Sequence, residues 1–197
     1  APLLATGFYG EAVVGWMLIA YGSKLLWQNV YFIPQALMKR ELRFKELSLI
    51  RLAANLADAG FDVVAHDAAG AERAPAGVTF VDDTAEVARQ ATTVVLSLPD
   101  GAASAAVVED LLAAGERRTD LVIDTTTVGV RAAEALHARL QEAGVDLVDA
   151  PVSGGVAGAK ARTLLVMVAG SDAAVDRAER VLAGLSDRRH RVGNRPG

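Results

Sequence analysis

The sequence predicts an α/β fold: a doubly wound, mostly parallel sheet that lacks its usual first strand and follows a hydrophobic N-terminal helical segment. Three observations carry this prediction. Strand-like and helical runs alternate through residues 51–197. The stretch ELSLIRLAANLADAGFDVVAHD, residues 46–67, reads as a helix closed by a glycine, then a short apolar strand that ends on an aspartate. The chemistry of the chain also changes near residue 50: eight of the ten aromatic residues lie before it, leaving Phe61 and Phe80 beyond. Two domains follow, an aromatic-rich segment at 1–50 and an α/β domain at 51–197.

Within the α/β domain, apolar strand-like runs fall at 61–66 (FDVVAH), 92–98 (TTVVLSL), 121–124 (LVID), 145–150 (VDLVDA) and 163–169 (TLLVMVA). Between them, residues 102–115, 130–144 and 172–185 carry aliphatic side chains at three- and four-residue spacing, the signature of a helix with one buried face. Gly115 and Gly144 close the first two of these as C-caps. Asp82 and Asp83 precede an alanine-rich helix and read as caps. A strand and helix alternation of this kind gives right-handed crossovers and a sheet covered on both faces. Ligands in such sheets bind beyond the carboxyl ends of the strands.

Composition narrows the function classes. At 197 residues and 52% hydrophobic, the chain can bury a real core. A net charge of −4 opposes nucleic-acid binding, which needs a basic surface. Without cysteine there is no disulfide or thiolate chemistry, and three scattered histidines do not make a zinc site, so no metal is expected. His137 falls mid-helix, and RRHR at 188–191 reads as a solvated surface run. A cytoplasmic setting suits residues 51–197.

The predicted strand ends carry the chemistry. One strand runs to Asp67, where a carboxylate can accept hydrogen bonds from ribose hydroxyls. The next runs into SLPD (97–100), where Pro99 fixes φ and stiffens the turn. A third runs into DTTTVGV (124–130), in which Thr125 and Thr126 read as β-branched strand residues. A fourth leads into DAPVSGGVAGAKARTL (149–164), where Ser153, Gly154 and Gly155 offer a hydroxyl and two unshielded N–H groups, a small donor site suited to a carboxylate. Lys160 in the same stretch reads as a solvated loop lysine.

The order and spacing of these segments resemble the Rossmann-like cofactor-binding domain of the β-hydroxyacid dehydrogenases, which include 3-hydroxyisobutyrate and 6-phosphogluconate dehydrogenases. The resemblance covers residues 51–193, and DAPVSGG is its most specific motif. It implies a small hydroxy acid as substrate, oxidised by hydride transfer to a nicotinamide cofactor while a lysine takes the hydroxyl proton. It also implies that Asp67, Leu98, Pro99 and Thr127 hold the cofactor and that Ser153, Gly154 and Gly155 hold the substrate acid. NAD is favoured over NADP, since Asp67 would repel a 2′-phosphate. The family's catalytic lysine lies on a later helix, so no catalytic residue is assigned in this chain. Arg162 stands where the family usually has glycine.

Aligning LAANL (52–56) with the end of the family's Gly-x-Gly-x-x-Gly-x-x-Met-Ala-x-Asn-Leu pattern places its glycines at Phe44, Glu46 and Leu49. A Cβ, a carboxylate and a leucine at these positions oppose the tight turn, the pyrophosphate and close helix packing respectively, so cofactor binding by this chain is expected to be weak. LMKRELR (37–43) carries four charges and does not suit a buried strand. Ahead of it, uncharged runs of 12 and 14 residues (12–23 and 25–38) flank Lys24 and precede a basic stretch. Aromatics followed by a basic flank suit membrane contact through 12–38, and the segment resembles a piece of the polysaccharide-exporting flippases. An amphipathic extension over the gap in the sheet is the alternative. Three function classes follow: a dehydrogenase domain inactive as it stands, a non-catalytic nucleotide or small-acid module, and a membrane-associated chimeric fragment.

Overall fold

The computed structural model describes residues 44–197, of which Lys45–Gly197 form one unit. The expectations for residues 1–43, namely a hydrophobic helix, a flippase-like or membrane-contacting segment and no central strand, lie outside the described residues.

The described chain opens with helix α1 (Phe44–Asp58). Strand β1 (Val63–Ala65), strand β2 (Val78–Phe80) and helix α2 (Thr84–Gln90) follow. Next come β3 (Thr93–Leu96), α3 (Gly101–Ala113), β4 (Leu121–Asp124), α4 (Val130–Glu142) and β5 (Asp146–Asp149). The remainder is β6 (Val152–Ser153), α5 (Gly155–Ala161), β7 (Leu165–Ala169), α6 (Asp172–Leu185) and β8 (Arg188–Gly193). Strands β3, β4 and β5 run parallel. Their alternate side chains feed two apolar layers. Ile123 and Val148 pack with Leu52, Leu56, Leu182 and Leu185 on one face, whereas Val122 and Leu147 pack with Val108, Leu136 and Leu140 on the other. All four β4 residues are buried, as a strand covered on both faces requires.

Among the described residues the sheet is interrupted. Strands β1 and β2 pair parallel as a two-stranded sheet, separate from the six-stranded sheet that begins at β3. Even so, Val63 of β1 packs into the first apolar layer and Val64 into the second. The β1–β2 pair therefore packs between the same two apolar layers as the main sheet. This is the doubly wound α/β fold predicted.

Two of the predicted helix ends follow glycine chemistry. After α1, Gly60 (φ 84°) turns the chain left-handed, with Phe61 N–H bonding Leu56 O at 3.1 Å and Gly60 N–H bonding Ala57 O at 2.9 Å. After α4, Gly144 (φ 70°) does the same, with Val145 N–H to Leu140 O at 2.9 Å and Gly144 N–H to Gln141 O at 3.0 Å. Both are Schellman ends. Gly115 departs from expectation: the left-handed residue there is Glu116 (φ 57°). RRHR also differs, because it forms β8, paired parallel to β7 at the sheet edge; its mostly exposed side chains hid the strand from a hydropathy reading. Strand β7 is antiparallel to β5 and β6, since the seven-residue α5 returns the chain beside them instead of crossing the sheet.

Candidate functional site

Register aligns the carboxyl ends of three parallel strands: Leu96 of β3 pairs with Asp124 of β4, which pairs with Asp149 of β5. Beyond this line the loops are joined by buried hydrogen bonds. Thr125 donates its hydroxyl to Leu96 O at 2.6 Å, and its N–H reaches the same oxygen at 2.9 Å. Thr126 Oγ1 accepts the N–H of Leu98 at 2.9 Å, and the Thr126 N–H donates to Asp124 Oδ1 at 2.9 Å. Both threonines lie past the end of β4 and are buried. They fasten the β3 and β4 loops together, a correction to their reading as strand residues. Thr127 is exposed on the rim, as is Pro99, and Leu98 is half-buried.

Asp124 is 2% exposed, and its Oδ2 has no hydrogen-bond partner. Burial pushes its carboxyl above the usual carboxylate range, opposed by hydrogen bonding from Thr126. The buried Oγ of Ser104, on α3, has no hydrogen-bond partner either. Asp149 is also pushed up, first by burial and further by the Asp124 charge, although Gly197 N–H donates to its Oδ2 at 3.3 Å.

Asp67 lies two residues beyond β1. Its Oδ1 accepts the Ala69 N–H at 2.9 Å while its carbonyl accepts the Gly70 N–H at 2.9 Å, so the carboxylate is held at the strand end by its own turn. Asp67 belongs to the separate β1–β2 pair, whereas Leu98 and Thr127 follow strands of the main sheet and Ser153 ends its strand β6.

The third part of the site is the exposed run Ser153, Gly154, Gly155. Gly154 has φ 132° and Gly155 φ 59°, backbone angles that a side chain would strain. They turn β6 into α5, whose first N–H groups have no carbonyl one turn back. Helix α5 sits against its neighbours by close approach: a Cβ on Gly158 would meet Leu164 Cδ2 at 3.1 Å. Asn55 of α1, 7% exposed, donates its Nδ2 to Ala159 O at 3.1 Å and ties α1 to this loop. Arg162 caps α5 in the left-handed region (φ 56°, ψ 32°), and its guanidinium donates to Gly184 O at 3.1 Å. The left-handed angle accounts for a glycine being usual there. Lys160 is solvated as expected but lies on the last turn of α5, a correction to its reading as a loop residue.

Asn55, Ser104, Asp124 and Asp149 support the site without having been singled out from sequence, and Thr126 was read there only as a strand residue. Asp124 and Asp149 end apolar strands in the same way as Asp67, and that signal was available. The partners of Asn55 and Thr126, at separations of 104 and 28 residues, had none.

Fold and site together define a nucleotide-binding α/β domain of the doubly wound type, with an acid held after one strand, tethered turns after the next two and a glycine pair beyond. The chain belongs to the family of the NAD-binding domain of 6-phosphogluconate dehydrogenase, whose family model matches residues 50–193. A Mycobacterium bovis protein named "Probable 3-hydroxyisobutyrate dehydrogenase" is 39% identical over 136 residues, covering 66% of this chain and 45% of that protein. The 2-(hydroxymethyl)glutarate dehydrogenase of Eubacterium barkeri is 30% identical over 149 residues, covering 73% and 49%. Among solved structures, Mycobacterium tuberculosis 3-hydroxyisobutyrate dehydrogenase with L-serine superposes with a TM-score of 0.69 and 36% identity, over 73% of this chain and 50% of that one. The chain thus spans about half the length of these relatives. Among the described residues, no helix is long and apolar enough to cross a membrane.

Proposed function

We propose that residues 51–197 are the NAD-binding domain of a dehydrogenase acting on a small 3-hydroxy acid in the cytoplasm. The observation that carries this reading is that β3, β4 and β5 end in register at Leu96, Asp124 and Asp149, with Leu98 tethered to Thr126 and Thr126 to Asp124 in the loops beyond, the edge from which Leu98 and Thr127 follow. The donor and acceptor set fits a nicotinamide dinucleotide: a ribose acceptor at Asp67, bare backbone at Leu98 and Pro99, and an exposed hydroxyl at Thr127. Held by these residues, a nicotinamide dinucleotide would supply a hydride acceptor for the carbinol carbon of the hydroxy acid. The protein's own part is to orient the two molecules, with Ser153 Oγ and the N–H groups of Gly154 and Gly155 directed to the substrate carboxylate. NAD is preferred because a 2′-phosphate would meet the Asp67 carboxylate.

A second reading, a nucleotide or small-acid module without turnover, is favoured by one feature. Residues 44–49 belong to α1, where the alignment puts the glycine turn for the pyrophosphate. Calorimetric titration of the chain with NAD and NADP tests the cofactor assignment. NAD is expected to bind more tightly, and Asp67→Ala to narrow the difference. Equal or tighter NADP binding by the unmutated chain removes the role of Asp67, and binding of neither nucleotide removes the cofactor reading.

A further inference from the structure

The turn between β3 and α3 is anchored more heavily than its length requires. At its start, Thr125 bonds Leu96 O twice. At its end, Asp100 caps α3 by accepting the Ala103 N–H at 3.0 Å. Between these anchors the Leu98 N–H is taken by Thr126 Oγ1, and Thr126 is itself held by Asp124 Oδ1. Thr126 is 4% and Asp124 2% exposed, so solvent does not compete for this path. Asp124 is the last residue of β4, and its main-chain oxygen also accepts Ala150 N–H at 2.8 Å, linking it to the DAPVSGG segment.

Resting on the nucleotide reading above, we propose that Asp124 and Thr126 are positioning residues that set the turn at Leu98 and Pro99 from beneath, without touching the ligand. The arrangement decides what the turn can offer. The Leu98 N–H is committed to the protein and Pro99 has none, so these two residues present carbonyl oxygens alone. Such a rim takes a hydroxyl or carboxamide donor and rejects a phosphate. If Thr126 is changed so that it no longer accepts, the Leu98 N–H is released and the rim loses this polarity.

The test reads the turn and the ligand separately. Amide hydrogen exchange by NMR should show the Leu98 amide exchanging about tenfold faster in Thr126→Val, the loss of roughly one net hydrogen bond. Core amides of β4 should be unchanged. Thr126→Ser, which keeps the acceptor, and Asp124→Asn, which keeps the acceptor for the Thr126 N–H, should retain the protection. Asp124→Ala should lose it. In parallel, NAD affinity should fall about tenfold in Thr126→Val and return in Thr126→Ser. Unchanged Leu98 exchange in Thr126→Val overturns the proposal. Faster exchange with unaltered NAD affinity also overturns the positioning role while leaving the nucleotide reading intact. Failure of the unmutated chain to bind NAD defeats the nucleotide reading, and with it the role of this turn toward a cofactor.

Discussion

Asp124 and Asp149 stand side by side in register at the carboxyl ends of β4 and β5, and burial holds both carboxyls above their ordinary pKa. An acid whose folded pKa is raised binds its proton more tightly in the native state, so it stabilises the fold at low pH. That contribution is lost as pH rises from the unfolded value, about 4, through the raised folded value. Urea unfolding of the unmutated chain should therefore show stability falling over this window, and Asp124→Asn should flatten the fall. The ion-paired Glu86 and Glu109 act oppositely: Arg89 and Arg139 lower their pKa values, so their contribution is lost only as pH falls below about 4.5. An Asp124→Asn profile that parallels the unmutated one would refute the assignment.

Gly101, the first residue of α3, is tested by Gly101→Ala. Its added Cβ would meet Ala132 Cβ at 2.9 Å and Val128 Cβ at 3.3 Å, atoms anchored directly to the α4 backbone and to the loop beside Thr127. Helix propensity favours alanine by about 0.5–1 kcal/mol, whereas overpacking costs about 1–3 kcal/mol. Overpacking wins. The variant should be less stable by about 1–2 kcal/mol in denaturant titration, and a gain in stability would show that α3 and α4 are not so close.

Arg162 combines an unfavourable left-handed backbone with a bond to Gly184 O. Arg162→Gly removes both, two effects of about 1 kcal/mol and opposite sign, and should leave stability nearly unchanged. Arg162→Val keeps the strain, adds β-branching and loses the bond, and should cost about 2–3 kcal/mol. Equal stability of the two variants in thermal melts would count against the left-handed cap.

Turnover is the last expectation. Lys45 and Lys160 are the lysines among the described residues, and Lys160 is exposed at the end of α5. A positioned base contributes about 10²- to 10⁴-fold in rate. With no residue assigned to that role, the chain should form no measurable NADH at 340 nm with a panel of 3-hydroxy acids. Turnover that disappears in Lys160→Ala would make Lys160 the base.

The sequence by itself determined β1, β3, β4, β5 and β7 and the longer helices, because hydropathic periodicity is written locally: LVID is β4 and 172–185 is α6 to the residue, whereas the short β2, β6 and α5 went unread. It also located Asp67, the SLPD and DTTTVGV turns and the SGG run at strand ends, since glycine, proline and strand-terminal acids report backbone conformation directly. Thr125 and Thr126 were visible only as β-branched residues. Their tethering of Leu96 and Leu98 depends on β3 and β4 lying side by side, which hydropathy does not encode. The edge strand β8 was concealed for a related reason, as its charged residues face solvent while its backbone pairs with β7. Likewise, the raised carboxyls of Asp124 and Asp149 and the bond from Asn55 to Ala159 exist only once distant segments exclude water from one place. Local pattern specified the elements and their turn chemistry; the tertiary structure decided which polar groups meet, because partnership and burial depend on segments far apart in the chain.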